Sequence, residues 1–240
     1  MIRAFDATAA ALGLLVLSPL LLVVLVLVWR QDGHSPFYVA DRAGRGGKPF
    51  RMVKIRSMVV NAHASGVEST AVDDRRITPL GHFIRRWKID EIGQLWNVLV
   101  GDMSLVGPRP NTLREVMTYS PAELRLLDIR PGITDFSSIV FSDEGQILAH
   151  SADPDAAYER LIRPWKSRLA LLYVNNLSLP LSLALIGLTA LAIFNRPGAL
   201  RRLEQLLASV GADPQLQLVA TRSQPLERFA PGPQEAAGPP

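Results

Sequence analysis

The 240-residue chain contains no cysteine. Disulfides, zinc–thiolate sites and a thiol nucleophile are therefore excluded. The nucleotide-binding P-loop spacing, GxxxxGK followed by serine or threonine, is also absent. Repeats that interleave aromatic and basic residues are sparse, which argues against a nucleic-acid groove. Charge is missing from Ala7 to Trp29, a run of 23 positions, longer than the ~20 residues that cross a hydrocarbon core as helix. A secretory signal would have a shorter apolar region and a small-residue cleavage site, whereas this run ends in Trp29-Arg30.

What is present is uneven. Hydrophobic residues make up 48% of the chain and the formal net charge is +4, with an isoelectric point near 9.8. Anionic partners are favoured on charge alone, and the length suggests one domain with appendages. Ser18-Pro19 interrupts the first apolar run. Proline removes a backbone hydrogen bond and bends a helix. Two readings stand: a kinked helix that crosses a bilayer, or one that turns back so that both ends stay on one face. Ser18 can supply a partner for a backbone group freed at the bend.

Residues 36–40 and 49–58 read as two short strands around the glycine-rich turn at 42–48. The turn is either a solvated hairpin tip or a loop whose amides and basic residues contact phosphate. Lys54 and Arg56 fall on one face of the second strand. Pro79 opens a helix carrying Leu80, Phe83, Ile84 and Trp87. A second runs from Glu91 to Val100 and ends at Gly101. Asp90 is then expected at a helix N-terminus, where free amides and the macrodipole favour an ionised carboxylate. Basic residues surround the Asp90-Glu91 pair, among them Arg85, Arg86 and Lys88 before it and Arg109 after it. Prolines on both sides stiffen the backbone at Arg109, and a held guanidinium suits phosphate. Acids among bases, outside any long apolar run, suggest a site for phosphate and metal.

Further along, Arg130 opens another turn and residues 136–141 read as a strand. Asp153-Pro154 caps a helix with Tyr158, Leu161, Ile162, Trp165, Leu169 and Leu172 on one side and basic residues on others. That pattern suits a membrane surface or a packed core. Leu177 to Phe194 is a second uncharged run of 18 residues, at the lower edge of spanning length. A short helix is expected from Leu200 to Val210, and residues 214–240, rich in Pro, Gln, Ala and Gly, are expected to be disordered.

Several motifs occur in order: Phe5-Asp6 before the run with Ser18-Pro19, then Arg42-x-Gly44-x-x-Gly47-x-x-Phe50 and Lys54-Ile-Arg-Ser-Met58. They continue with Arg76-x-Thr78-x-x-Gly81, Asp90-Glu91-x-x-Gln94-Leu-x-Asn97-Val, the stretch from Gly101 to Pro110, and Arg130-Pro-Gly-Ile-Thr134. Over about residues 3–175 the chain resembles the bacterial sugar transferases, the monotopic polyprenyl-phosphate phosphoglycosyl transferases, and among them the small single-domain members. The resemblance implies an α+β fold, mostly helical. It would have a re-entrant membrane helix bent at Ser18 and Pro19, a small β-hairpin, and amphipathic interfacial helices around a compact cytoplasmic catalytic domain. The corresponding divisions are 1–30 for the re-entrant helix, 31–176 for the catalytic domain, 177–195 for a second membrane-associated or spanning segment, and 196–240 for a short helix and tail.

The implied reaction moves a sugar-1-phosphate from a UDP-sugar donor to polyprenyl (undecaprenyl) phosphate at the inner face of the bacterial cytoplasmic membrane, releasing UMP. Asp90 would be the nucleophile and Glu91 its partner, both near Mg²⁺. Lys54, Arg56, Arg85, Arg109 and Arg130 are the candidate phosphate-binding residues. Membrane lipid is an expected partner, a homodimer is allowed, and nucleic acid is not expected. An inactive membrane scaffold for glycan enzymes is the alternative. The chain departs from the family pattern at Gly93, where proline is usual, at Ile55, where phenylalanine is usual, and at residues 135–139, Asp-Phe-Ser-Ser-Ile instead of Gly-Trp-Ala-Gln-Val. Gly93 is expected to loosen the backbone beside the acid pair.

Overall fold

The computed structural model of the chain describes residues 2–67, 69–149 and 151–226. The first apolar run forms one long helix, α1 (Ile2–Asp32), with Pro19 inside it. Proline at 19 has no N–H to offer the carbonyl of Leu15, and the Ser18 hydroxyl donates to that carbonyl at 2.7 Å instead. Both ends of α1 hold the same body. At one end Arg3 donates to the carbonyls of Val98 and Leu99, and Asp6 accepts from the Ser104 hydroxyl and the Leu105 amide. At the other end Val24 and Val28 pack with Ile55, Ile84 and Ile89. Between these grips Leu12, Leu15 and Val16 are exposed. Among the described residues α1 is the one helix long and apolar enough to cross a membrane.

The expected hairpin is present as β1 (Phe37–Ala43) and β2 (Pro49–Ile55), antiparallel, with Phe37 opposite Ile55 and Ala43 opposite Pro49. Its tip is solvated, with Arg45, Gly46 and Lys48 exposed, and is tied at one point: Arg45 donates to the carbonyl of Asp128 at 2.9 Å. Thr78 caps α2 (Pro79–Arg86), a 3₁₀ turn spans Ile89–Gly93, and α3 (Gln94–Val100) follows to Gly101. β3 (Ser104–Val106) pairs in parallel with β4 (Gly132–Thr134). Gly107 and Gly132 let these segments touch, since a Cβ on Gly132 would lie 2.1 Å from the Gly107 amide nitrogen. That contact brings the Pro108-Arg109-Pro110 turn beside Pro131.

The remaining helices are α4 (Leu113–Val116), α5 (Phe136–Val140), α6 (Glu144–Ile147), α7 (Pro154–Leu161), α8 (Arg163–Asn175), α9 (Leu179–Phe194), α10 (Arg196–Ser209) and α11 (Pro214–Thr221). The main core gathers Phe136, Trp165, Leu169, Tyr173, Leu185 and Leu203 from α5, α8, α9 and α10. The mostly helical α+β class expected from the sequence is therefore present. Two local expectations are corrected, the strand at 136–141 and the disorder from 214. Residues 136–140 are helix, not strand, because Asp135 caps them by accepting from the Ser138 amide at 2.8 Å. Of the two readings of the basic helix, the packed core is present: Leu161, Ile162, Trp165 and Leu169 are buried. Two of its flanking bases form ion pairs, Lys166 with Glu144 and Arg168 with Asp213. The second apolar run forms a 16-residue helix, α9, which buries Leu181, Ser182 and Leu185 and exposes Leu183, Ile193 and Phe194. Residues 214–221 form α11, packed through Leu216, Val219 and Ala220, where disorder was expected. Residues 227–240 of that expected tail lie outside the described residues.

Candidate active site

The site forms where β2 meets the turn that follows α2. Lys88 takes a left-handed backbone, φ 56°, which ends the α2 direction and turns the chain inward. Ile89 and Asp90 are then buried. Asn97, seven residues after Asp90, ties α3 to the free edge of β2. Its amide nitrogen donates to the Arg51 carbonyl at 2.8 Å and its oxygen accepts from the Val53 amide at 2.9 Å. Gly93 sits against the Lys54 backbone: a Cβ there would lie 3.1 Å from the Val53 carbonyl oxygen and 3.3 Å from the Lys54 Cα. The glycine thus permits a close approach to the Lys54 backbone.

This packing delivers Lys54 to both acids. Its Nζ lies 3.9 Å from Asp90 Oδ2 and 3.9 Å from Glu91 Oε1. Arg109 Nη2 donates to Glu91 Oε1 at 2.8 Å, and its Nη1 reaches the Ile133 carbonyl at 3.3 Å. The two carboxylates are thereby given unlike environments. Burial acts on both and by itself favours the protonated form. At Glu91 the charges of Arg109, Lys88 and Lys54 outweigh burial and hold the carboxyl well below the usual range. At Asp90 burial wins with help from the Glu91 charge, against Lys54, and the carboxyl is pushed up. A capped helix N-terminus would shift Asp90 the other way. The observed 3₁₀ turn buries it instead, which corrects the sequence expectation. Burial lowers the Lys54 ammonium, while both acids work against that change.

Asp90 Oδ1 is buried and has no hydrogen-bond partner, and neither does the side-chain amide nitrogen of Gln94, four residues on. Buried polar atoms are normally satisfied, so these two point to something that the site receives. Arg85 is half-buried at the edge and contributes the weakest of the named charges on Asp90. Arg56 is not part of the centre. Its guanidinium grips both carboxylate oxygens of Asp32 at 2.6 and 2.7 Å and donates to the Ser35 carbonyl. Arg130 is likewise elsewhere, with its Nε on the Gly101 carbonyl at 2.8 Å. Lys88, named among the surrounding bases though not among the phosphate-binding candidates, acts on Asp90, Glu91 and Lys54. Sequence reasoning missed Glu144, which is paired with Lys166, lies in the field of Arg109 and carries no local signal.

Among the described residues no group of three or more His, Asp or Glu is placed to hold a metal ion. Magnesium needs less, because it commonly binds through one or two carboxylates plus substrate phosphates and water. The adjacent Asp90 and Glu91, with the unpartnered Asp90 oxygen, fit that mode.

A family model described as bacterial sugar transferase matches residues 1–196. The galactosyl transferase CpsE of Streptococcus agalactiae is 41% identical over 143 residues, covering 55% of this chain and 32% of that protein. The UDP-galactose-lipid carrier transferase of Erwinia amylovora is 34% identical over 214 residues, 82% of this chain and 41% of its own length. A UDP-N-acetylgalactosamine-undecaprenyl-phosphate N-acetylgalactosaminephosphotransferase of Aeromonas hydrophila is 32% identical over 204 residues, 82% of this chain and 44% of its own. The chain thus spans less than half the length of each of these curated relatives.

Proposed function

The chain belongs to the bacterial sugar transferase family, and from that premise we propose that it transfers a sugar-1-phosphate from a UDP-sugar to polyprenyl phosphate. The observation that carries this reading is the asymmetry of the acid pair. Glu91 is an anion locked to Arg109, whereas Asp90 keeps one buried oxygen without a partner beside Lys54.

The Asp90 carboxylate attacks the phosphorus that bears the sugar. The bridging P–O bond of the diphosphate breaks, UMP leaves with the bridging oxygen, and an aspartyl-phosphosugar remains. An oxygen of polyprenyl phosphate then attacks the same phosphorus and the acyl-phosphate P–O bond breaks. The product is a polyprenyl diphosphate sugar, and Asp90 is regenerated. A carboxylate meeting a diphosphate is repelled unless the donor is neutralised, which Lys54, Arg109 and Lys88 do through their fixed positive charge. Glu91 keeps Arg109 and Lys54 oriented. Mg²⁺, held by Asp90 and Glu91, would add charge neutralisation at the donor phosphates.

The lipid acceptor accounts for the anchor. The two ends of α1 grip one body while its middle is apolar and exposed, which supports a helix that enters and leaves one leaflet of the cytoplasmic membrane, with the catalytic body on the cytoplasmic side. Because the chain has no cysteine, Ile2→Cys and Gly33→Cys can be labelled with an impermeant reagent. Reaction from one side is expected, and opposite sides would mean a spanning helix. For the chemistry, protein incubated with labelled UDP-sugar and Mg²⁺ is expected to retain the sugar-phosphate covalently. An adduct that survives Asp90→Asn would overturn the assignment, and metal-dependent UMP release separates an enzyme from a scaffold.

A further inference from the structure

Helix α10 begins at Arg196, the last residue of the family match, and α11 lies wholly beyond it. The two helices enclose a cleft of about 320 Å³ lined by Arg196, Leu200, Arg201, Glu204, Thr221 and Arg222. Arg196 and Arg222 share a single carboxylate, Asp143, at 2.8 and 3.3 Å. Arg222 stands in a left-handed backbone, φ 54°, and its buried Nε has no hydrogen-bond partner. Arg201 is exposed and, among the described residues, joins no ion pair. With Glu204 on the rim, three guanidiniums face two carboxylates. Burial, reinforced by the nearby Arg222, lowers the proton affinity of Arg196 although Asp143 opposes this, as expected where like charges are held together. Arg196, Leu200, Arg201 and Glu204 recur along one side of the 14-residue α10, so the cleft runs along that flank of the helix.

Two residues before Arg196, the exposed Phe194 meets the Trp87 ring with centroids 6.1 Å apart. An exposed aromatic pair beside a cationic cleft is the arrangement expected where a chain meets lipid headgroups. We propose that the Arg196–Arg201–Arg222 cleft is a second phosphate-binding site, separate from the Asp90 centre, which receives the phosphate of an anionic phospholipid headgroup or a free phosphate of the same chemistry.

The test uses the full chain in detergent with two probes, inorganic phosphate followed by calorimetry and phosphatidylglycerol followed by native mass spectrometry. Arg201→Glu reverses an exposed charge and leaves both Asp143 pairs intact. Arg222→Lys keeps the charge toward Asp143 and removes the guanidinium fork. Wild type is expected to bind one equivalent that Arg201→Glu weakens about tenfold or more, that Arg222→Lys also weakens, and that Asp90→Asn leaves unchanged. Lipid binding that phosphate does not displace identifies the headgroup as the source, and phosphate binding without lipid binding identifies a soluble anion. Affinity for both probes unchanged in Arg201→Glu would overturn the proposal, as would binding lost in Asp90→Asn. Since binding is read rather than transfer, failure here leaves the reaction at Asp90 a separate question.

Discussion

Strand β2 feeds two acid–base pairs that look alike in sequence and differ in the fold. Arg56 closes on Asp32 with two hydrogen bonds and binds the Ser35 carbonyl as well. Lys54, two residues earlier, stands 3.9 Å from each of two acids, one of which keeps a bare oxygen. The closed pair engages both Asp32 oxygens and fastens the end of α1 to the hairpin. The open one leaves cations and an anion desolvated beside each other, a costly arrangement unless a ligand completes it. Completeness of hydrogen bonding, and not the presence of charge, separates the fastening from the reacting centre.

The sharpest break in that comparison is at Asp90. Asp90→Asn is expected to cost transfer on the order of 10³-fold or more, as loss of a nucleophile does. Melting should be unchanged or slightly raised, because the raised proton affinity of Asp90 means that its ionised form opposes folding at neutral pH. Arg56→Ala should show the reverse pattern, with Tm lower by several degrees in thermal unfolding and the turnover of the remaining folded enzyme little changed. Equal loss of turnover in both variants would erase the distinction.

A smaller effect concerns pH. In the proposed reaction Asp90 attacks as an ionised carboxylate, and its carboxyl lies above the ordinary aspartate value of 3.8. The acid limb of kcat/KM should therefore lie above that value. Lys54→Met removes a charge that lowers it, so the limb should move further up, whereas Lys54→Arg should largely restore it. The stability contributed by Glu91 has the opposite sign of shift. It is in place above 4.5, the ordinary glutamate value, and is lost as the pH falls through the depressed native value. Glu91→Gln should flatten that acid loss of stability in pH-dependent melts. The smallest effect belongs to Gly93→Ala, whose methyl must displace the Val53 carbonyl by a few tenths of an ångström. Transfer lower by about two- to tenfold is expected, with little change in Tm. An unchanged rate would mean that the contact with Lys54 tolerates movement.

The parts of the fold legible in the sequence are those with local causes. Pro79 and Asp153-Pro154 announce their helices because a first-turn proline and a cap act within a few residues. Ser18 and Pro19 announce the interruption in α1 for the same reason. Residues 136–140 misled because Phe136, Ile139 and Val140 carry strand-like side chains, while the Asp135 cap and burial against α8 and α9 decided for helix. The stripe of α8 left membrane surface and core both open because an apolar face has the same pattern whether it meets a bilayer or a core. In the centre, Asp90, Glu91, Lys54 and Arg109 were recognisable as candidates. That Arg56 and Arg130 bind elsewhere was not, since their partners Asp32 and Gly101 lie 24 and 29 residues away.

By itself the sequence determined an uncharged helix long enough to enter a membrane, an acid pair set among bases, and the absence of any thiol chemistry. These are properties of composition and near neighbours, which survive in any conformation. Only the tertiary structure decided which cation serves which acid, that the proton affinities of Asp90 and Glu91 are shifted in opposite directions, and that two arginines of α10 and Arg222, just past α11, converge on a cleft of their own. Those outcomes depend on burial and on charges brought within a few ångströms by distant segments, and the field at a carboxylate does not exist until the chain has folded around it.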